Sequence, residues 1–188
     1  MRSNNPAWLP DRYLPPLTMM SALFIIGMIA GCVCAIFWDA GPPDIITPGW
    51  EVYFKLLWEY GKYPFIAYVC GFSSLGVAAV PLLVAARGFT VSVFTTGVVR
   101  LYGLPGLQDF IASHGILSIT CTTGLLILAI QGFNASKFSL AGAANRRRGP
   151  VGSARTAPYN IRFIICAAAA ATACALDIML YPTLASVF

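Results

Sequence analysis

Two ionisable residues inside apolar stretches are the first candidates for chemistry in this sequence. His114 lies near the start of one apolar block, and Asp177 lies about two thirds of the way along the last one. Hydrolysis would require a nucleophile beside a base, paired carboxylates or a metal cluster. The acid nearest to His114 is Asp109. We therefore interpret His114 as a hydrogen-bonded structural residue and predict no catalytic residue.

Asp177 is the acid that lies deepest in an apolar block. An ionised carboxylate at the centre of a bilayer costs about 2.5–3.5 kcal/mol on insertion scales. Asp177 should therefore either face neighbouring helices or reach water at the outer leaflet. Its expected partners are Arg100 and His114, which the sequence places in the outer halves of neighbouring spans.

Cysteines and other ligand-binding motifs give no sign of a cofactor. The pair Cys32-x-Cys34 has a single residue between its thiols, fewer than zinc sites use, and no histidine is nearby. Glycine-rich phosphate loops, haem motifs and basic helices with interleaved aromatics are missing from the sequence. We predict no metal, no cofactor and no nucleic-acid partner. Thiols in apolar blocks pack as small hydrophobic groups, and the six are Cys32, Cys34, Cys70, Cys121, Cys166 and Cys174.

Composition sets the class of protein. The 188 residues are 58% hydrophobic and 10% charged, with a mean hydropathy of +0.75. Soluble domains contain about 25% charged residues, so a water-soluble monomer is excluded and a polytopic membrane protein in contact with lipids is indicated. The net charge of +5 is interpreted as a signal of how the protein is oriented in the membrane, because Lys and Arg stay preferentially on the cytoplasmic side.

Five apolar blocks predict an all-α membrane bundle in a single integral membrane domain, residues 1–188. The first block is interpreted as a retained span, and it carries Gly27 and Gly31, a pair that permits close helix packing. The third block has only 12 uncharged residues between Arg87 and Arg100, so it either spans with Arg100 at the interface or is re-entrant. The predicted spans are 17–38, 63–86, 88–104, 110–133 and 161–187.

Charge distribution predicts the orientation. Residues 134–160 are basic and contain no acid, which marks a cytoplasmic loop. With five spans, the amino terminus lies inside and the carboxyl terminus lies outside. Nine of the Lys and Arg residues then lie on the cytoplasmic side and three on the outer side. If the third block is re-entrant, eight cations lie inside and four outside, so five spans fit the distribution of positive charge better. The inner cations are Arg2, Arg12, Arg87, Lys137, Arg146, Arg147, Arg148, Arg155 and Arg162; the outer ones are Lys55, Lys62 and Arg100.

The first outer segment, residues 39–62, combines acids with aromatics. Trp50, Phe54 and Trp58 recur at helical spacing, which predicts a short interfacial amphipathic helix. Exposed aromatics rimmed by charge favour contact with other proteins. We therefore expect these three residues to bind a partner.

Small residues recur every four positions in the third block, at Gly88, Ser92 and Thr96. They form a helix face on which another backbone can approach closely. Gly103 and Gly106 are expected to break the helix before the fourth span. The alternative is a glycine-rich hinge without a special packing partner.

The same region carries a family pattern. Arg87-Gly88, the small residues at 92 and 96, Gly103-Leu104-Pro105-Gly106 and a span opening at Ser113-His114-Gly115-Ile116 together resemble the stage II sporulation protein M family. The resemblance covers roughly residues 63–133. Ser118 stands where many family members with His-Gly-Ile carry an acid.

This resemblance implies a membrane scaffold, not an enzyme, in the bacterial cytoplasmic membrane. Sporulation members of the family recruit a peptidoglycan amidase and a lytic transglycosylase to the septal membrane during engulfment. The outer segment 39–62 is where such wall enzymes are expected to bind.

Transport is the alternative function. A five-span chain with Asp177 in the membrane could be a permease subunit that acts as a homo-oligomer or beside a separate ATPase. The basic residues 137–155 would then be the docking surface. An intramembrane enzyme has the least support, because paired catalytic residues are missing from the sequence.

Overall fold

Helices account for nearly all of the structure, a computed structural model that describes residues 14–37, 50–144 and 157–184. These residues are 97% helical and include no strand. The helices are α1 (Leu14–Phe37), α2 (Trp50–Gly71), α3 (Gly76–Ala144) and α4 (Ala157–Leu184). The all-α prediction is confirmed for this part of the chain.

A tight turn at residues 72–75 separates α2 from α3. The Ser73 N–H donates to the carbonyl of Cys70 at 3.0 Å, and the Leu75 N–H donates to Ser73 Oγ at 3.2 Å. These bonds satisfy polar groups that the end of a helix leaves unpaired. A Cβ at Gly76 would overlap the Cys70 carbonyl oxygen, so glycine lets α3 start directly against the end of α2.

Gly103 divides α3 into a first arm, residues 76–102, and a second arm, residues 104–144. Its φ of 69° and ψ of −158° are non-helical and lie in a region that is essentially restricted to glycine. The second arm folds back along the first, because Arg87 of the first arm bonds to Ser118 and Thr122 of the second.

The first helix and the first arm of α3 run in the same direction. Gly27 packs against the backbone of Ala85, and further along both helices Arg100 bonds to the carbonyl of Ile36. Because parallel neighbours cannot be joined by a short loop, the chain between them must return along the bundle. The helix α2 makes that return.

The last helix is antiparallel to the second arm of α3. Tyr159 lies against Gly132, and Asp177, further along α4, bonds to Leu117. The bundle therefore has two ends. We call the end that holds the exposed cations Lys137 and Arg162 the basic end, and the opposite one the Gly103 end.

Two clusters of buried side chains hold the bundle together. One joins α1, α2 and both arms of α3, and the other joins the second arm to α4. The first comprises Met20, Ala67, Val80, Val84, Leu125, Ala129 and Phe133, and the second comprises Leu117, Cys121, Ala170, Ala173 and Cys174.

Membrane character is supported by four helical segments among the described residues that are long and apolar enough to cross a bilayer. Many of their large apolar side chains face outward, as expected of helices that contact lipid. The segments are Pro15–Phe37, Gly76–Gln108, Gly115–Lys137 and Tyr159–Met179.

Helix bounds differ from the predicted spans in the middle of the chain. The turn at 72–75 falls inside the expected span 63–86, and the helix then continues without a break through Arg87 into the expected span 88–104. Arg87 does not end a helix because its guanidinium finds partners inside the bundle. The residues of the predicted interfacial helix form the first half of α2.

The predicted basic loop 134–160 is also shorter than expected. The helix α3 extends to Ala144 and α4 begins at Ala157, so both ends of that segment are helical. Its arginines at 146, 147, 148 and 155 lie outside the described residues.

Gly103→Ala should destabilise the fold by about 1–2 kcal/mol, because a Cβ is strained at this backbone conformation. Unfolding in mixed micelles, followed by circular dichroism, measures the change in free energy. Gly97→Ala is the matched control, since a Cβ there meets nothing within 4 Å. Equal stabilities of the two variants would contradict a hinge that requires glycine.

Candidate functional site

Among the residues that the structure describes, Arg87 is the buried cation. Its side chain is 5% exposed, and its guanidinium donates from Nε to Thr122 Oγ1 at 3.3 Å and from Nη2 to Ser118 Oγ at 3.4 Å. The guanidinium carbon also lies 4.7 Å from the ring centre of Tyr60 and 5.4 Å from that of Tyr63. Hydroxyl acceptors and two aromatic faces thus replace water around the charge.

Asp177 is the acid that lies buried in the described part of the chain. It is 1% exposed, and its Oδ2 accepts the backbone N–H of Leu117 at 2.8 Å. Its Oδ1 is buried without a hydrogen-bond partner among the described residues. A buried oxygen without a partner costs about 1–3 kcal/mol, so such a group marks a position that serves more than packing.

Tyr60 connects the two charges. Its ring lies over the Arg87 guanidinium, and it is within electrostatic reach of Asp177 as well. The residues that bond to the two charges, Ser118 and Leu117, are adjacent in the chain. Arg87, Tyr60 and Asp177 therefore surround one interior polar site, and no ion pair joins the two charges among the described residues.

The prediction that Arg100 pairs with Asp177 is wrong. Arg100 Nη1 instead donates to the carbonyls of Ala35 and Ile36, at 3.4 and 3.0 Å. These carbonyls belong to the last turn of α1, where a helix has no partners of its own for them and a cation is favoured. The side chain of His114 lies outside the described ones.

Small residues line the contact between α1 and the first arm of α3. A Cβ at Gly88 would overlap the carbonyl oxygen of Phe24, so glycine permits the backbones to touch. Next to it, the Cys32 thiol lies 2.9 Å from Ser92 Oγ and 3.4 Å from Thr96 Oγ1. This contact is structural, and it satisfies hydroxyl groups that lipid could not.

Gly106 lies just beyond the hinge at Gly103. A Cβ at Gly106 would overlap Cβ of Tyr102, so glycine is needed where the chain reverses. The two glycines belong to the turn between the arms and not to the α1 contact.

The outward face of α2 carries charges beside aromatics. Phe54 and Trp58 are 63% and 65% exposed. Glu51, Lys55 and Glu59 are also exposed, and their spacing of four residues places them in one stripe along the helix. Trp50 begins α2, and its side chain is not among those described.

Arg87 is the functional candidate that the sequence analysis missed, because it was counted as a cytoplasmic cation. A signal for its burial was present. Ser118 and Thr122 are four residues apart and Tyr60 and Tyr63 three apart, so each pair lies on one helix face. Two such polar pairs in apolar helices indicate a polar group between them.

Comparison with known proteins adds no relative. No protein family, no curated protein and no solved structure matches this chain.

Proposed function

We propose that this protein is a membrane scaffold that holds a partner protein at the Gly103 end of the bundle. The observation that carries the proposal is the charged stripe Glu51, Lys55 and Glu59, which lies exposed beside Trp58. A helix face that met only lipid would not keep a row of charges. This face therefore suits contact with a partner protein instead of lipid.

The expected orientation agrees with this role. In the proposed topology α2 is a fifth crossing, because its 22 residues cover about 33 Å and it returns between two parallel helices. The basic end then faces the cytoplasm, as positive charge favours. The Gly103 end and the stripe on α2 face outward, with the amino terminus inside and the carboxyl terminus outside.

The partner that we propose is a cell-wall hydrolase. The resemblance to the stage II sporulation protein M family suggests a peptidoglycan amidase or a lytic transglycosylase, recruited to the septal membrane during engulfment. Such enzymes act on the outer side of the cytoplasmic membrane, which is the side assigned to the charged stripe. The scaffold itself would carry out no reaction.

Glu51→Ala/Lys55→Ala/Trp58→Ala should reduce recovery of the wall hydrolases at least tenfold when the tagged protein is purified from native membranes. The reason is that the triple variant removes the charges and the aromatic anchor together. Quantitative mass spectrometry of the co-purified proteins measures the loss.

Ile25→Ala/Ile29→Ala/Ile36→Ala is the matched control for this experiment. These side chains are 55%, 61% and 58% exposed on α1, a helix apolar enough to contact lipid. The control should retain the partner. Full recovery with the α2 variant, or an equal loss with the α1 variant, would contradict the docking face.

A permease subunit is the second candidate, and the free Oδ1 of Asp177 is the observation that favours it. Buried acids in membrane helices often carry protons or bind cations during transport. In proteoliposomes with a pH gradient, transport would appear as proton flux that Asp177→Asn abolishes. A scaffold predicts no flux above that of empty liposomes for either protein, so the measurement separates the two functions.

A further inference from the structure

An apolar groove runs along the outside of the bundle between α2, the second arm of α3 and α4. It has a volume of about 310 Å³. Small residues and aromatic rings line it together. The small residues include Gly61, Gly124 and Ala170, and the aromatic ones include Phe54, Trp58 and Phe163.

The length of the groove matches one leaflet of a bilayer. Its α2 wall runs from Phe54 to Phe65, about 16 Å of helix. Half of a hydrocarbon core of about 30 Å is close to this length. Two of the three walls belong to segments that are apolar enough to cross a membrane, so hydrocarbon is the medium that reaches the groove.

An exposed cation, Arg162, lies near one end of the groove. Arg162 lies one helical turn before Cys166, a residue of the α4 wall, and therefore on the same face of that helix. Arg162 is exposed, and it has no ion-pair or hydrogen-bond partner among the described residues. It belongs to the basic end, where the cytoplasmic leaflet carries anionic lipids.

We infer that this groove binds one acyl chain of an anionic phospholipid, with the phosphate of that lipid at Arg162. The chain extends from the basic end between Phe65 and Phe163 toward Trp58. The small lining residues leave space for the acyl chain, and Arg162 selects a negatively charged headgroup over a zwitterionic one. The protein thus holds a specific lipid on the side of α2 next to the charged stripe.

Fluorescence quenching of Trp58 tests this inference. The background Trp8→Phe/Trp38→Phe/Trp50→Phe leaves Trp58 as the single tryptophan. In vesicles of unlabelled phosphatidylcholine, phosphatidylglycerol brominated near the chain end should quench Trp58 at least threefold more strongly than brominated phosphatidylcholine at the same mole fraction. Bromine near the headgroup should quench less, because the headgroup is held at the far end of the groove.

Two variants separate the chain site from the charge site. Arg162→Gln should bring the ratio between the two lipids to about one. Gly61→Leu should fill the groove and weaken quenching by both lipids, and it should fold because a Cβ at Gly61 meets nothing within 4 Å. Gly97→Leu has the same open space away from the groove and should behave as the parent.

Several outcomes would overturn the inference. One is equal quenching by both lipids in the parent, and another is a preference that survives Arg162→Gln. A third is a dimer, detected by native mass spectrometry, whose interface shields Trp58 from both lipids. The experiment contains no wall enzyme, so its result is independent of the scaffold function.

Discussion

Gly27→Leu should lower the free energy of unfolding by about 3 kcal/mol, near the upper end of what overpacking costs. A Cβ at Gly27 would overlap the carbonyl oxygen of Ala85, a backbone atom that cannot rotate away. The only relief is separation of α1 from the first arm of α3. That separation would also expose Ser92 and pull Arg100 from the end of α1.

Steric trapping or unfolding in mixed micelles measures the Gly27→Leu effect, and cysteine accessibility reports the separation. Ser92→Cys, in a background without the six native cysteines, places a single thiol at a buried position of this contact, and that thiol should react faster with a membrane-permeant maleimide when Gly27→Leu is added. Gly97→Leu adds the same side chain at an open position and should change stability by less than about 0.5 kcal/mol. Similar losses for both variants would refute close backbone packing at Gly27.

Arg87→Met and Asp177→Asn should each destabilise the bundle by about 1–3 kcal/mol, because each disturbs the hydrogen bonds of a buried polar group. The double variant removes both charges and should lose about 2 kcal/mol less than the sum of the single losses. Such coupling is the size expected for residues that share one polar network.

The test is a double-mutant cycle in the same micelles, and a second cycle controls for it. Arg100→Met with Asp177→Asn should be additive within about 0.5 kcal/mol, because Arg100 bonds to α1 carbonyls and not to the acid. Additivity of the Arg87 cycle would mean that Tyr60 does not link the two charges.

The sequence predicts which segments lie in the membrane and how deep each residue lies in them. It predicts less well which side of a helix each residue faces. Apolar composition was sufficient to predict helices in a membrane, and four segments support it. Depth alone suggested Arg100 as the partner of Asp177. The two residues face different neighbours, because pairing depends on which side of each helix meets which other helix.

Predictions of helix bounds also fail where a charged residue is taken as the end of a membrane span. Arg87 interrupts an apolar run, so the sequence suggested that one helix ended there and another began. Its partners come from residues 27 positions before it and up to 35 after it, contacts that no local pattern contains. By contrast, the reversal at Gly103 was predictable, since two glycines and a proline within four residues favour a break.

The parallel packing of α1 on the first arm of α3 has a consequence for biosynthesis. Arg100 bonds to Ile36, 64 residues earlier in the chain. At roughly 5–20 residues per second, α1 waits about 3–13 s after its own synthesis before that partner is made. During this interval its glycine face is uncovered in the membrane. A shortage of insertion machinery or of a chaperone that shields α1 during this interval should therefore lower the yield of folded protein.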